Sequence, residues 1–235
     1  MKFQPSKRFL AITGSVVLTA ALIAGFSLAA PRLALGGKER ALIQQIESKP
    51  EAKEAYAAIL EHQKKKAGDA DNPTWYIAIG NNWVLIGDLL GNQTARDKAI
   101  AEYEQGIARL GKKNTTLINN AGNAYRASGR YGEAEAKYRQ AIEANSGEPT
   151  AYENLIDLYR MDLKKPPAEI IKVFQLALDR LIENARIIQL LAEYLVSVGR
   201  ERDALQYYYL LEKRHPEQFA SVIADLERKV NQEKK

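Results

Sequence analysis

The chain has 235 residues, no cysteine and a formal charge of +5. The missing cysteine excludes disulfides and a cysteine-linked lipid. Residues 1–30 hold three basic and no acidic residues, so the remainder, with 31 basic and 29 acidic, is only net +2. That balance argues against nucleic acid, which requires a concentrated basic face.

Residues 9–30 are 22 consecutive uncharged residues, preceded by Lys2, Lys7 and Arg8. About 20 apolar residues suffice to cross a bilayer as a helix, whereas a cleaved secretory signal has an apolar region of about 7–15. The length predicts a retained transmembrane signal-anchor at 9–30, with residues 1–8 as a cytoplasmic N-terminal segment. Ser27-Leu28-Ala29 offers a small-x-small alternative at which the leader would be cut. Lys2, Lys7 and Arg8 before the span nearly balance Arg32, Lys38 and Arg40 after it. The short, signal-like N-terminal side favours an N-terminus in the cytoplasm and the rest of the chain outside the inner membrane.

Residues 31–72 read as a linker followed by a helical hairpin. Pro31, Gly36 and Gly37 mark the linker, and Leu42, Ile43 and Ile46 give helical spacing over 38–48. Ser48-Lys49-Pro50-Glu51 has the form of a capping box, with proline at an early helical position. The helix it opens carries Ala55, Tyr56, Ile59 and Leu60 on one face and ends in Lys64-Lys65-Lys66, where positive charge suits the helix dipole. Residues 68–72 are a break, with Asn72 as cap before Pro73. This leading pair reads either as a degenerate first hairpin or as a lid.

From residue 73 onward the chain repeats. Tyr103, Tyr138, Phe174 and Tyr208 are spaced 35, 36 and 34 residues apart, and each follows Ala99, Ala134, Ile170 or Ala204 by four. The unit at 73–111 reads Tyr76-x2-Ile79-Gly80-x2-Trp83, then Ala99-x3-Tyr103 after an insertion of seven. The insertion, at 87–94, holds two glycines and reads as an extended loop. The unit at 115–148 reads Ile118-x2-Ala121-Gly122-x2-Tyr125, Gly129, then Ala134-x3-Tyr138. At 149–184 the pattern is Tyr152-x2-Leu155-Ile156-x2-Tyr159, with Ile170-x3-Phe174 arriving two residues late behind Pro166-Pro167. At 185–218 it is Ile188-x2-Leu191-Ala192-x2-Leu195, Gly199, Ala204-x3-Tyr208 and Pro216. Residues 219–235 carry Phe219, Val222, Ile223, Leu226 and Val230 at three and four, the mark of an amphipathic helix that caps the array. Tyr207-Tyr208-Tyr209 contributes one core ring by register.

Elementary packing explains these residue types. Gly80 and Gly122 carry no Cβ and let paired helices approach, and Ala99, Ala134 and Ala204 do the same on the second helix. The large rings fill the space between hairpins, and Gly129 and Gly199 fall where a helix ends in the left-handed conformation.

Four such units in tandem resemble the tetratricopeptide repeat, W-x2-L-G-x2-Y followed by A-x3-F and proline over 34 residues. The resemblance implies an all-α fold: a tetratricopeptide-like α-solenoid of helical hairpins, preceded here by one transmembrane helix. By analogy with the family, the groove is lined by set positions of each first helix, here Asn119, Asn123, Arg126, Glu153, Asp157, Arg160, Gln189 and Glu193. The subgroup that grips a C-terminal carboxylate matches only partly. Asn123, Asn154 and Arg186 are present, but Asn119 and Leu190 replace basic groups. Asparagine donates and accepts, so generic peptide binding is the better expectation, with Arg126 and Arg160 available to read acidic groups.

Little else in the chain suggests chemistry. His62 and His215 are far apart, no cluster has metal-ligand spacing, and there is neither a G-x-S-x-G nor a phosphate-binding glycine loop. Glu133 and Glu135 read as solvated. The sequence therefore predicts no enzyme, no cofactor and no metal. It predicts a membrane-anchored scaffold that holds protein or peptide partners in a bacterial envelope assembly. The alternatives are a permanent structural subunit of a larger membrane complex and a cleaved, soluble periplasmic peptide-binding module.

Overall fold

The computed structural model of the chain describes residues 36–111 and 113–232. The expected cytoplasmic segment 1–8 and signal-anchor 9–30 lie outside the described residues. Among the described residues no helix is long and apolar enough to cross a membrane, and every regular element is helical.

The helices follow one another as hairpins. Helices α1 (Gly37–Ser48) and α2 (Pro50–Gly68) form the leading pair. Four repeat hairpins follow: α3 (Pro73–Leu90) with α4 (Gln93–Leu110), and α5 (Thr115–Ala127) with α6 (Tyr131–Ala144). Next come α7 (Pro149–Asp157) with α8 (Pro167–Arg180), and α9 (Ala185–Ser197) with α10 (Glu201–Arg214). Helix α11 (Ala220–Gln232) closes the array, burying Ile223, Leu226 and Val230. One apolar core runs through all of them, from Leu42 to Val230.

Each first helix starts on a side-chain cap. Asn72, Asn114 and Asn184 accept from Thr74, Leu117 and Ile187 N–H, and Glu148 does so from Thr150. Tyr76 and Tyr152 pin the preceding turn by donating to the carbonyls of Ala70 and Ser146. The first helices of the second and fourth repeats end alike. Gly129 and Gly199 both have φ of 71°, and the next N–H reaches back five residues, Arg130 to Tyr125 and Arg200 to Leu195.

The insertion in the first repeat is not an extended loop. Gly87 lies inside α3, Gly91 takes the left-handed position (φ 59°), and Asn92 N–H closes on the Gly87 carbonyl at 2.9 Å. The extra residues lengthen both helices by about a turn: α3 and α4 have 18 residues each, against 13 and 14 in the next hairpin. This added turn receives α1. Lys49 donates to the Leu89 carbonyl, Asn92 to Gln45, and Lys98 to Glu39. The leading pair is thus docked on the first repeat as a packed hairpin.

Two other expectations are corrected. The capping box at Ser48 does not form. Proline occupies the first helical position, so Lys49 is the N-cap, and Ser48 Oγ instead closes on the Gln45 carbonyl of α1. The ridge rings are also not simply wedged between hairpins. Tyr103 and Tyr138 lie inside their own hairpins, in the notches left by Gly80 and Gly122, where an added Cβ would stand 2.4 and 2.6 Å from ring carbon. The first-helix tyrosines make the cross-hairpin reach, Tyr125 Oη to Glu104 and Tyr159 Oη to Glu135.

The late second half of the third repeat has a structural cause. Helix α7 widens into a π-turn at Leu158–Asp162, Lys164 takes φ of 48°, and α8 starts on Pro167. A π-turn closes on the fifth residue rather than the fourth, so it takes up one of the two surplus residues.

Candidate functional site

The candidate residues belong to three successive first helices and lie along one continuous face. Contacts between neighbouring repeats join it. Asn154 Nδ2 donates to Asn119 Oδ1 at 3.0 Å. Arg126 Nε donates to Asp162 Oδ2 at 2.6 Å, a contact made possible because the π-turn carries Asp162 on α7's own extension. Arg186 stands 3.9 Å from Glu153, and the Arg160 guanidinium lies 5.2 Å from the Tyr194 ring centre. Within α9, Gln189 donates to Glu193 at 2.8 Å.

Of the candidates Asn119, Asn123, Arg126, Glu153, Asp157, Arg160, Gln189 and Glu193, only Gln189 and Glu193 bond each other, while Asn119, Asn123, Arg126, Glu153 and Arg160 meet residues outside the set. Asn123, Asp157 and Glu193 are exposed, while the others are half-buried. The carboxylate-gripping set does not assemble. Asn154 donates to Asn119, and the exposed Arg186 stands 3.9 Å from Glu153.

Sequence reasoning missed the role of the ridge hydroxyls. Tyr138 Oη donates to Asn123 Oδ1 at 2.7 Å, and Tyr103 Oη donates to Asn81 Oδ1 at the same distance. Asn81 is thus the first repeat's counterpart of Asn123. The signal was present as an Asn directly after Gly80 and Gly122, but the insertion changes the spacing to the ridge tyrosine. Burial pushes the Tyr138 hydroxyl up to about 12, and burial raises Tyr103 as well. Both therefore stay protonated donors at neutral pH.

That shift has a sign. An unfolded tyrosine ionises near 10, so the Tyr138 contribution to stability is intact below pH 10 and lost as pH rises from 10 through 12. Tyr138→Phe is expected to move alkaline unfolding, followed by far-UV circular dichroism, to higher pH. At neutral pH the same change is expected to cost about 1 kcal/mol through the lost hydrogen bond. An alkaline transition at unchanged pH would contradict this.

A shallow cleft touches the face between Thr116, Asn119 and Thr150. Among the described residues no group of three or more His, Asp or Glu is arranged to hold a metal ion. Glu133 pairs with Arg130, and Glu135 accepts from Tyr159 and Arg139.

No known family profile matches the chain, and no curated protein matches it in sequence. Solved structures match it in shape. The crystal structure of MamA protein superposes on 80% of this chain and 96% of its own, with a TM-score of 0.52 and 17% identity. MamA 41-end from Desulfovibrio magneticus RS-1 does so on 78% and 98%, with a TM-score of 0.51 and 15% identity. The chain has the tetratricopeptide-repeat fold. TTC0263, a thermophilic TPR protein in Thermus thermophilus, aligns over 81% and 98% at a TM-score of 0.48 and 16% identity. At such identities the likeness concerns the fold alone. In the fold's terms, the shared surface is the one presented by the first helix of each repeat.

Proposed function

We propose that the protein is a protein–protein interaction scaffold, tethered to a bacterial cytoplasmic membrane through residues 9–30, with its repeats on the extracytoplasmic side. One observation carries the scaffold reading. Successive first helices present a continuous polar face, open rather than pocketed, on which Asn123, Asp157 and Glu193 are exposed. Such a surface suits an extended partner that exchanges hydrogen bonds along its length, as peptide-recognition grooves do. The tether rests on the 22 uncharged residues of the leader and on the six residues between position 30 and α1. Fully extended, those six span at most about 20 Å, which holds the leading hairpin close to the bilayer.

Washed membranes provide the test. The intact chain is expected to remain with the membrane after alkaline extraction, with its repeats digestible from the extracytoplasmic side and a partner recovered by chemical crosslinking. A mature N-terminus at Ala30 contradicts the tether, and recovery of monomer alone contradicts the scaffold.

A second reading, a permanent subunit of a membrane complex, is favoured by a different face. Leu176 and Leu210 stand one repeat apart on α8 and α10 and are 36% and 39% exposed. Gln105 and Gln140 occupy the matching places of the earlier hairpins. Ile182, in the turn after α8, is 82% exposed. Apolar side chains displayed on neighbouring helices suit a lasting contact better than a transient one.

A further inference from the structure

The polar face changes character halfway along, where the residue at one first-helix position turns from asparagine to a carboxylate. In the first two repeats the exposed asparagines Asn81 and Asn123 have their side-chain carbonyls taken by Tyr103 and Tyr138. The Asn119 carbonyl is likewise taken by Asn154. What these three amides turn outward is therefore N–H, so this half of the face donates. In the third repeat the ridge residue is Phe174, which has no hydroxyl, and the matching position is Asp157. Asp157 has no hydrogen-bond or ion-pair partner among the described residues and is exposed. In the fourth repeat the ridge residue is again a tyrosine, Tyr208, but the same position is Glu193, which Gln189 steadies at 2.8 Å. This half accepts. Its arginines do not pair with the carboxylates at that row: Arg160 lies over the Tyr194 ring and Arg186 stands 3.9 Å from Glu153.

We propose that the groove binds an extended peptide in one direction, with a lysine or arginine seated between Asp157 and Glu193 and backbone carbonyls lying on the amides of Asn81 and Asn123. The inference rests on the scaffold reading and adds to it the chemistry and the polarity of the partner. Charge complementarity selects the cation: two carboxylates one repeat apart on an open face are hydrated when the groove is empty and gain a charge-assisted bond when a cation arrives. The donor half supplies little sequence preference, since every peptide carries carbonyls. Specificity therefore concentrates at the acidic end, and binding weakens as salt rises.

The probe is a random dodecapeptide library, panned against the full chain in detergent, with affinities of enriched peptides measured by fluorescence anisotropy. Enriched peptides are expected to share a lysine or arginine and to lose roughly tenfold or more in affinity against Asp157→Asn/Glu193→Gln. Panning against Asp157→Lys/Glu193→Lys is expected to enrich Asp or Glu at the same place. All these positions are exposed, and thermal melts check that the variants fold. Groove binders without a shared cation, or with affinities unchanged in the neutral variant, overturn the polarity and leave the scaffold reading standing. If no peptide depends on any groove residue, and crosslinking in membranes also returns only monomer, both fall.

Discussion

Gly122→Ala is expected to lower stability by about 2 kcal/mol, although alanine is the better helix former. The new Cβ would stand 2.6 Å from Tyr138 Cε1 and 2.8 Å from Cδ1, well inside contact distance. The ring cannot swing aside. It is completely buried, and its hydroxyl is fixed on Asn123. Over-packing of this kind costs about 1–3 kcal/mol or more, against a helix-propensity gain of about 1 kcal/mol, so the clash wins. Gly80→Ala meets Tyr103 at 2.4 Å and is expected to behave alike. Gly132→Ala is the control: a Cβ there meets nothing within 4 Å, and neutrality or slight stabilisation is expected. Denaturant melts measure all three. Pairing Gly122→Ala with Tyr138→Leu is expected to recover part of the loss, as a double-mutant cycle would record. Independent, additive effects would mean that the glycine and the ring do not share one space.

Phe174→Ala is expected to have the larger effect, about 3–5 kcal/mol, and to change the shape of unfolding. The ring is fully buried in the third hairpin and stacks on Tyr194 of the fourth, with centroids 5.7 Å apart. In a one-dimensional array each repeat is held by its neighbours, so a defect at an inner interface uncouples the two ends. The third hairpin is the place where this matters most. Its first helix is interrupted by the π-turn, and its second begins on Pro167 after a residue in the left-handed region. Two thermal transitions are expected in the variant, against one in the parent. A single transition at lower temperature would show instead that the whole array still melts as one unit.

The parts of this architecture that were legible in the sequence are those fixed by side-chain volume. Gly80 and Gly122 announced close approach, and the structure shows which ring fills each notch. Gly129 and Gly199 announced helix ends, and both adopt the left-handed conformation. Where one residue type has two uses, the reading failed. Glycine at 87 and 91 signalled a loop, but Gly87 sits inside a helix, where a Cβ would meet the Arg96 side chain at 2.7 Å, and only Gly91 ends it. Ser48 looked like a cap, but proline at position 50 moved the helix start by one residue. A two-residue excess in the third repeat fits a longer turn or a wider helix equally well, and only the backbone reveals the π-turn. The repeat register set the candidate positions on neighbouring first helices. Which of their atoms remain available was not legible, because that depends on hydrogen bonds from Tyr103, Tyr138 and Asn154, residues remote in sequence from the asparagines they occupy.

The most direct test of the groove is site-specific photocrosslinking in native membranes. A photoreactive residue is placed at Asp157 or Glu193 on the first-helix face, or at exposed Gln175 on the second helix α8. Adducts with a partner from positions 157 and 193, and none from 175, are the expected result. Adducts from 175 alone would contradict it and move the binding surface to the opposite side of the solenoid.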